Sequence, residues 1–406
     1  MRSIAVAGVP WNPNELVDAG SDATRLGHRL VVVDDADALR KVPTGADCDV
    51  LAVPAMNEEV VAAALAEARV AAVLSLSEPK LHLAARLRAL LGLRGSTPDT
   101  ERALVDKALC REVLAVSGLT GVRFRTARVG QLHAEVTRFG MPAVVKPRAL
   151  AGSNGVRLVT EPADVDELVG EYDLATAAEF GRDEVLIESV IAGVEISAEA
   201  LVVDGKVALL ALTDKVNTGA PYFAECGHIM PSRHVGLESR VIEYLQRIVN
   251  ALGVVTAPLH AELMITEEGL ELVEVNARFG GGGIVRLMTE HLAVRPFAAL
   301  FAALLEGRLP KTRPRNQVWG VGFFTARMGS PPPWRSYDFP RPQAVVKIDL
   351  DYQREPKLSQ FEGIGIRYWR PGHAFFSSPH YDDVRLNVEF MTTQFMEATA
   401  SAGRNV

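Results

Sequence analysis

The sequence predicts an α/β domain followed by α+β lobes with antiparallel sheets, and changes of pattern along the chain lead to this fold class. In residues 1–100, short apolar strands alternate with amphipathic helices, which is typical of a parallel sheet covered on both faces. From about residue 140 the strands come in hairpins, and a segment rich in proline and aromatic residues follows residue 311. With 406 residues, the chain is long enough for several subdomains.

Four buried strands and two helices are predicted in the first hundred residues. The strands are residues 3–8, 30–33, 50–53 and 70–76, and the helices are residues 58–68 and 81–91. The first strand ends in Gly8-Val9-Pro10 instead of the glycine pattern GxGxxG, so a nicotinamide or flavin site has no support here. One helix is predicted over residues 97–118, because Pro98 stands near its start and Gly118 at its end.

Hairpins dominate the middle of the chain. The predicted strands are residues 141–146, 156–160, 185–189, 195–203, 206–212, 259–266 and 270–276, and the predicted helices are residues 164–172 and 239–252. Asp204-Gly205 is a strong turn signal between two of these strands. The pattern of residues 340–395 predicts a small β-rich module.

Composition excludes several classes of protein. The formal net charge of −7 and the pI of about 5.8 argue against a nucleic-acid partner, which needs a basic face, but not against a small anionic substrate in a locally basic cleft. Three cysteines without a CxxC pair predict reduced thiols. We expect no membrane span and no signal peptide, because the apolar runs are too short, and the cytoplasm is therefore the expected location.

The hairpin around residues 267–269 carries the most informative polar residues. Strand alternation places His260 and Glu262 on one face, and Glu274 and Asn276 share a face of the return strand. A turn that is symmetric about its middle residue puts Glu262 opposite Glu274 and His260 opposite Asn276. Opposed carboxylates repel, and a divalent cation between them relieves the repulsion. Two carboxylates and an amide oxygen suit Mg²⁺ that also holds phosphate.

The residues around this hairpin favour a partly buried site over the alternative of two solvent-facing glutamates. The return strand is apolar between its polar positions. Arg278 is the next residue on the glutamate face and can neutralise charge on a phosphoryl or carbonyl group, with an ordinary surface ion pair as the alternative. The glycines at residues 280–283 let the backbone approach a ligand closely.

Two further segments are candidates for nucleotide contacts. Lys146 ends an apolar strand, and the following loop Gly152-Ser153-Asn154-Gly155 can fold its amides over a phosphate tail, although it is not a Walker A loop. A lysine that extends from a strand edge is the alternative. Glu188-Ser189-Val190-Ile191 offers backbone groups for adenine and Glu195 a carboxylate for ribose, with charged residues that cap strands as the alternative.

Taken in order, these segments resemble the ATP-grasp superfamily. The resemblance covers residues 95–290 and rests on Asp106-Lys107 followed by Gly118-Leu119-Thr120, on Lys146 and its loop, on Glu188 and Glu195, and on Glu262, Glu274, Asn276 and Arg278. Within the superfamily, the chain is most similar to dipeptide-forming L-amino acid ligases, because of the spacing from Glu274 to Arg278 and the loop at residues 218–231.

The resemblance implies an ATP-grasp fold in four parts. Residues 1–100 form the N-terminal parallel α/β (pre-ATP-grasp) domain and residues 101–187 the lid, or central lobe. Residues 188–310 form the C-terminal catalytic lobe with an antiparallel sheet, and residues 311–406 the small β-rich C-terminal module.

The resemblance also implies a role for each matching residue. Lys107 and Lys146 contact the phosphates of ATP under the loop at residues 152–155. The segment at residues 188–191 meets adenine, and Glu195 meets ribose.

The remaining implied roles concern the metal and the substrate. Glu262, Glu274 and Asn276 hold Mg²⁺, with Mn²⁺ as an alternative ion. Many members of the superfamily have aspartate in place of Glu262, and the longer side chain keeps the ligand while shifting the metal. Arg278 steadies the acyl-phosphate or the substrate carboxylate, so that Arg278 and Lys146 are the expected catalytic residues.

The substrates are the least defined part of this prediction. Lys215, His228, Arg278 and Gly281 are candidate substrate contacts, with a plain surface position as the alternative for Lys215 and His228. The resemblance implies a small carboxylate and a small amine, both amino acids in the dipeptide-forming subfamily, and dimers are common in the family. A carboxylase that uses carboxyphosphate and a nucleotide-binding module without catalysis are the alternatives.

Overall fold

The computed structural model describes residues 2–149, 152–153, 155–179, 184–309, 311–327, 338–350 and 368–402. Three sheets organise these residues: a four-stranded parallel sheet near the N-terminus, a four-stranded antiparallel sheet, and an eight-stranded antiparallel sheet. The pairing changes from parallel to antiparallel after the first third of the chain, where the sequence pattern also changes. The predicted combination of α/β and α+β structure is therefore confirmed.

The parallel sheet has the strand order β3-β2-β1-β4 and carries helices on both faces. Its elements are β1 (Ser3–Ala7), α1 (Glu15–Arg25), β2 (Arg29–Asp34), α2 (Ala36–Leu39), β3 (Asp49–Ala52), α3 (Glu58–Glu67), β4 (Val70–Leu74) and α4 (Leu81–Leu91). Ala5 and Val33 pack with α3 and α4 on one face. Ile4 and Val32 pack on the other face with α1 and with two helices from later in the chain.

The prediction that residues 50–53 form a buried strand is wrong. The strand is present as β3, but it lies at the edge of the sheet, and Val50 is 56% exposed. An apolar run indicates a strand, but it does not show whether both sides of that strand have neighbours.

The prediction of one helix over residues 97–118 is also wrong, because Asp106 divides it. Two helices are present, α5 (Pro98–Val105) and α6 (Lys107–Val116). Asp106 has an extended backbone, and its carboxylate accepts hydrogen bonds from the N–H groups of Ala108 and Leu109, so it caps α6. An aspartate that bonds to its own backbone competes with a continuous helix. As a result, Lys107 becomes the first residue of α6.

The second sheet has the order β5-β8-β6-β7 and two helices on one face. Its elements are β5 (Phe124–Arg128), α7 (Leu132–Phe139), β6 (Ala143–Pro147), β7 (Arg157–Val159), α8 (Pro162–Glu179) and β8 (Glu184–Ser189). Val145 and Ile187 pack against α7 and α8. Because side chains alternate along a strand, Lys146 and Glu188 lie on the opposite face. The predicted border at residue 187 falls inside β8, and the domain borders remain predictions.

The third sheet has the order β13-β12-β9-β10-β11-β14-β16-β15. Its elements are β9 (Val194–Val203), β10 (Lys206–Asn217), β11 (Glu225–Met230), α9 (Glu238–Leu252), β12 (Ala257–Ile265), β13 (Leu270–Asn276), α10 (Ile284–Leu292), α11 (Pro296–Glu306), β14 (Val318–Arg327), β15 (Val345–Leu350), β16 (Tyr368–Ser378) and α12 (Tyr381–Ala402). The two predicted hairpins, β9–β10 and β12–β13, are confirmed.

The C-terminal segment differs from the predicted β-rich module. Its strands are present, but β14 pairs with β11, so these strands extend the sheet of the preceding lobe. Residues 381–395 are helical rather than extended. Val384, Val388 and Met391 are spaced by four and three residues, which is the helical period, and pack together on the sheet.

No single helix in the described ranges is long and apolar enough to cross a membrane. Only α10 and α11 taken together have the required length and composition, and they are bent by 88° relative to each other. Both helices bury apolar side chains, among them Leu287 and Phe297, in the core that they share with the parallel sheet.

We expect Asp106→Ala to lower the free energy of unfolding by about 1–2 kcal/mol, because it removes the N-cap of α6. Asp106→Asn is the matched control. The asparagine variant keeps an oxygen that can accept the cap hydrogen bonds and mainly weakens the ion pair with Arg148, whose side chain is 19% exposed. We therefore expect it to lose less free energy of unfolding than the alanine variant. Urea denaturation measures both losses. A loss for asparagine as large as that for alanine would contradict the capping role.

Candidate active site

The β12–β13 hairpin places two glutamates opposite each other, as predicted. Glu262 pairs with Glu274, and His260 pairs with Asn276. The predicted register is confirmed, but its premise of a turn symmetric about one residue is wrong. The turn has four residues, 266–269, and a bulge after Glu262 shifts the pairing by one residue. The bulge therefore creates the opposition of the two carboxylates.

Both glutamates lie on a polar, largely buried face of the large sheet. Along β9, Glu195, Ser197 and Glu199 alternate with apolar residues such as Ile196 and Ala198. The apolar residues pack against α9 in the core. Because the period of a strand is two residues, the polar set faces the other way, next to the partners of β9 on β12. We call this surface the polar face.

Lys215 on β10 lies between two glutamates of the polar face. Its Nζ atom is 2.7 Å from Glu195 Oε1 and 2.6 Å from Glu262 Oε1. Burial works to lower the pKa of Lys215, but the glutamates around it outweigh burial and raise this pKa well above its usual value. Burial works to raise the pKa of Glu262, but Lys215 and His260 hold it well below its usual value. The predicted ribose contact is therefore a neighbour of a predicted metal ligand.

Glu274 is held by a lysine from α6. Lys107 Nζ is 3.1 Å from Glu274 Oε1, and Asn276 Nδ2 donates to the same oxygen at 2.7 Å. Burial works to lower the pKa of Lys107, but Glu274 and Glu78 outweigh burial, and the net pKa is raised. The cap at Asp106 fixes the start of α6 and so determines where Lys107 reaches β13.

The donor atoms at this point fit a divalent cation. Asn276 Oδ1 is buried and has no hydrogen-bond partner, so an acceptor is left over beside the two glutamates. The described residues contain no group of three or more histidine, cysteine, aspartate or glutamate side chains that could hold a metal, so the third protein ligand would have to be this amide oxygen. Mg²⁺ accepts such a set because it keeps water and phosphate oxygens as its other ligands. The metal assignment stays a prediction.

Lys146 is paired with a residue of its own four-stranded sheet rather than with the polar face. Its Nζ atom is 2.6 Å from Glu188 Oε2, and Arg111 Nε donates to Glu188 Oε1 at 2.8 Å. Burial works to raise the pKa of Glu188, but Lys146 and Arg111 outweigh it and lower the net pKa. Lys146 Nζ also donates to the backbone oxygen of Val273 at 3.4 Å, so this lysine touches β13 next to Glu274.

The predicted phosphate loop is described at three of its four residues. Gly152, Ser153 and Gly155 have φ values of 69°, 59° and 70°, whereas Asn154 lies outside the described residues. Successive left-handed residues are unusual for a loop without a role, and Ser153 adopts this conformation although it has a side chain. The loop begins six residues after Lys146, and its contact with phosphates stays a prediction.

The adenine-binding segment predicted at residues 188–191 is the end of β8 and the connection after it. The side chain of Glu188 is committed to Lys146 and Arg111, so its backbone is the part left for a ligand. Ser189 pairs through its backbone with Arg123. Val190 is 41% exposed and Ile191 is half-buried, so an apolar surface borders these backbone groups.

Arg278 is fixed by a residue that the sequence did not single out. Its Nη2 atom is 2.7 Å from Glu78 Oε2, and its Nε atom donates to the same oxygen at 3.3 Å. Glu78 follows β4 in the parallel-sheet domain and is only 7% exposed. Burial works to raise the pKa of Glu78, but Arg278 and then Lys107 lower it. Two hundred residues separate this pair in sequence, and no local pattern could reveal it.

Glu199 and His260 form a second group that was missed. His260 Nδ1 is 2.5 Å from Glu199 Oε1, and the backbone N–H of Gly280 donates to Glu199 Oε2 at 3.0 Å. Burial works to lower the pKa of His260, but Glu199 and Glu262 raise it to about 10. The glycine loop is thereby tied to the polar face. The alternation of Glu195, Ser197 and Glu199 along β9 was the signal that could have revealed this group.

Lys215 and His228 are not surface residues, so that alternative is wrong for both. Their side chains are 5% and 1% exposed. His228 Nε2 is 3.3 Å from Glu225 Oε1, but the geometry makes no hydrogen bond. A side chain at Gly282, which has φ +58°, would lie 2.8 Å from His228 Nε2. The histidine therefore lies directly under the glycine loop, whereas Gly281 borders open space.

We expect Glu188→Gln to lower the free energy of unfolding at neutral pH by about 3–5 kcal/mol, because Lys146 and Arg111 would stay buried without their carboxylate. The folded-state pKa of Glu188 is lowered. Its contribution is therefore present above the unfolded pKa and is lost as the pH falls through the lowered value. Denaturation at several pH values should show the difference from wild type shrinking towards acid pH.

Glu184→Gln is the matched control for this prediction. Glu184 lies on the same strand and pairs with Arg148, but its side chain is 40% exposed. The Glu184→Gln variant should therefore lose less than about 1 kcal/mol of the free energy of unfolding. Equal losses for the two variants would contradict the structural role of Glu188.

Comparison with protein-family models identifies a domain in the middle of the chain, and comparison with curated proteins finds relatives. Residues 139–286 match the family model of the ATP-grasp domain. The chain is 27% identical over 316 residues to the uncharacterized protein y4rH of Sinorhizobium fredii, with 67% of this chain and 65% of that protein covered. It is 27% identical over 248 residues to a phosphoribosylamine–glycine ligase of Pyrococcus horikoshii, with coverage of 56% and 55%. The chain thus spans only 55% to 65% of the length of these relatives.

Solved structures resemble the whole chain. An L-amino acid ligase from Bacillus licheniformis superimposes with a TM-score of 0.74 at 20% identity, with 97% of each chain covered. The ADP complex of purK, an N5-carboxyaminoimidazole ribonucleotide synthetase, gives 0.74 at 16% identity, with 98% of each chain covered. At such identities the likeness concerns the fold. The domain match and the fold together confirm the resemblance: the chain contains an ATP-grasp domain within an ATP-grasp fold.

Proposed function

We propose that this protein is an ATP-dependent carboxylate–amine ligase that forms an amide bond through an acyl-phosphate. One observation carries the proposal. Two opposed glutamates and an unsatisfied amide oxygen share a buried face, and lysines from α6 and the lid meet them at β13. A phosphate chain with its divalent ion needs this combination of hard oxygen ligands and fixed cations.

In this proposal the cations exchange partners when the nucleotide binds. Lys107 leaves Glu274 and Lys215 leaves Glu262 to meet phosphate oxygens, which frees both carboxylates for the metal. Lys146, held by Glu188 next to β13, contacts the phosphates, and the loop at residues 152–155 covers them. Mg²⁺, when bound, neutralises phosphate charge and orients the terminal phosphoryl group.

The chemical steps then depend mainly on positioning. A substrate carboxylate oxygen attacks the terminal phosphorus, and ADP leaves. Arg278, held by Glu78, is placed to stabilise the charge on the acyl-phosphate. An amine then attacks the acyl carbon, and phosphate leaves. The lid sheet excludes water that would otherwise hydrolyse the acyl-phosphate.

The relatives support an amine rather than another nucleophile. The names of the phosphoribosylamine–glycine ligase and of the L-amino acid ligase both state that the protein is a ligase. The second name also states that its substrates are amino acids. We propose a dipeptide-type product from two amino acids. The fold is also similar to that of the purK synthetase, so we keep a second candidate function, in which bicarbonate is the acid that is phosphorylated.

We expect ADP and phosphate to be released from ATP and Mg²⁺ only when an acid and an amine are both supplied. Phosphate release across single and paired amino acids, with mass spectrometry of the products, measures this. Bicarbonate-dependent release without an amino acid would favour the carboxylase candidate. ATP binding without phosphate release across a broad panel of acids and amines would contradict catalysis.

We expect Lys146→Ala and Glu274→Ala each to reduce turnover by at least about 100-fold, because each removes a fixed charge at the transferring phosphoryl group. Glu267→Gln, in the exposed turn of the same hairpin, is the control and should keep wild-type turnover. Thermal unfolding of each variant shows whether the fold is retained. Unchanged turnover in a folded Glu274→Ala variant would contradict the proposed site.

A further inference from the structure

Arg111 on α6 is a buried cation to which the proposed function gives no role. It is 3% exposed and lies one turn of α6 after Lys107. Its guanidinium group contacts two different sheets. Nε donates to Glu188 Oε1 on β8 at 2.8 Å, and Nη1 donates to the backbone oxygen of Leu272 on β13 at 3.0 Å. Arg111 therefore links the four-stranded antiparallel sheet to β13.

The same guanidinium also reaches the connection between α6 and β5. Its Nη1 atom is 3.1 Å from Thr120 Oγ1 and 3.3 Å from Glu271 Oε1. Glu271 has other donors, because Thr120 Oγ1 donates to it at 2.7 Å and the N–H group of Gly121 donates at 2.9 Å, and its side chain is 15% exposed. The Glu188 side chain is only 4% exposed, so Glu188 depends on Arg111 more than Glu271 does.

The Glu188 carboxylate is shared by two cations. Its Oε1 atom accepts from Arg111, and its Oε2 atom is 2.6 Å from Lys146 Nζ. The three side chains are at most 5% exposed, so water screens their charges little. One carboxylate between two cations leaves one positive charge over, and Lys146 therefore still attracts an anion. Without Arg111, the carboxylate would neutralise Lys146 and repel a phosphate group at the same place.

This junction also determines where Lys146 lies along β13. Lys146 Nζ donates to the backbone oxygen of Val273 at 3.4 Å, and Arg111 donates to that of Leu272, the residue before it. The residue after Val273 is Glu274, a predicted metal ligand. The two cations therefore lie side by side along the strand that the phosphates approach in the proposed function.

We propose that Arg111 is a positioning residue for nucleotide binding: by taking one oxygen of the Glu188 carboxylate, it leaves Lys146 able to bind a phosphate oxygen of ATP or ADP. This inference rests on the proposed function, in which Lys146 contacts the phosphates, and deepens it. Arg111 acts through Lys146 and does not itself touch the nucleotide, because its donors are directed to Glu188, to Thr120 and to β13. A buried ion pair with a purely structural role is the alternative that the test separates.

The test measures the binding of ADP with Mg²⁺ to the full-length chain by isothermal titration calorimetry, which requires neither the acid nor the amine. For Arg111→Met we expect the dissociation constant to rise at least about 10-fold, which corresponds to the loss of one charge-assisted hydrogen bond. Arg111→Lys keeps a cation beside Glu188, so its dissociation constant should stay within about 3-fold of wild type.

A second substitution decides whether charge is responsible. In Arg111→Met/Glu188→Gln, the carboxylate is removed together with its arginine, and Lys146 again carries a charge that no neighbouring carboxylate neutralises. We therefore expect this double variant to bind ADP at least about 3-fold more tightly than Arg111→Met. A purely structural role predicts the opposite, because a second change in the same packed network would not restore binding.

Arg88→Met is the matched control. Arg88 is 6% exposed, and its Nη2 atom is 2.6 Å from Glu101 Oε1, so this variant also leaves a buried glutamate unpaired. Neither residue of this pair has a role in the proposed nucleotide site. Thermal unfolding should show a lower midpoint for both Arg88→Met and Arg111→Met, whereas only Arg111→Met should weaken ADP binding at a temperature below both midpoints.

Two results would overturn the inference: wild-type ADP affinity in a folded Arg111→Met variant, or a double variant that binds ADP no more tightly than Arg111→Met. If Arg111→Met does not fold, Arg111→Lys and the double variant carry the test, and a loss of about 10-fold in either would overturn it. Absence of ADP binding in wild type would contradict the proposed site itself. ADP binding without amide formation would contradict only the ligase chemistry and would leave the role of Arg111 intact.

Discussion

The opposition of Glu262 and Glu274 on a buried face is the constraint on which the rest of the site depends. Two carboxylates this close, away from water, need positive charge beside them. The β12–β13 hairpin supplies only His260, so the remaining charge comes from elsewhere: Lys215 from β10 and Lys107 from α6. The break between α5 and α6 at Asp106 matters for this charge, because one continuous helix would not begin at Lys107.

Buried ion pairs are weak evidence for stability, since removing charges from water costs about as much as their attraction returns. The charged network on the polar face is therefore better explained by what it binds. Phosphate oxygens can replace the carboxylates as partners of the lysines, and a divalent cation can replace the lysines as the partner of the carboxylates.

The sequence allowed the main elements and the hairpin register to be predicted because both follow from local periodicity. The order and spacing of the candidate residues, among them Lys146, Glu188 and Glu274, resemble those of the ATP-grasp superfamily. This resemblance predicted the fold. Prediction failed where local pattern and tertiary context disagree. Asp106 lies within a helical pattern but caps the next helix, and Val50 lies in an apolar strand that has become an edge. The correct pairing of Glu262 with Glu274 needed a bulge that no simple turn rule contains.

The residues that were missed share a physical reason. Glu78 comes from the parallel-sheet domain and meets Arg278 only after the chain has folded, and Glu199 on β9 meets His260 on β12 in the same way. Glu78 lies outside residues 139–286, the segment that matches the ATP-grasp domain. That segment contains the opposed glutamates, Lys146 and Arg278, which suit the handling of any nucleotide. The residue that holds Arg278 is thus separated in sequence from the groups that suit the phosphate chemistry.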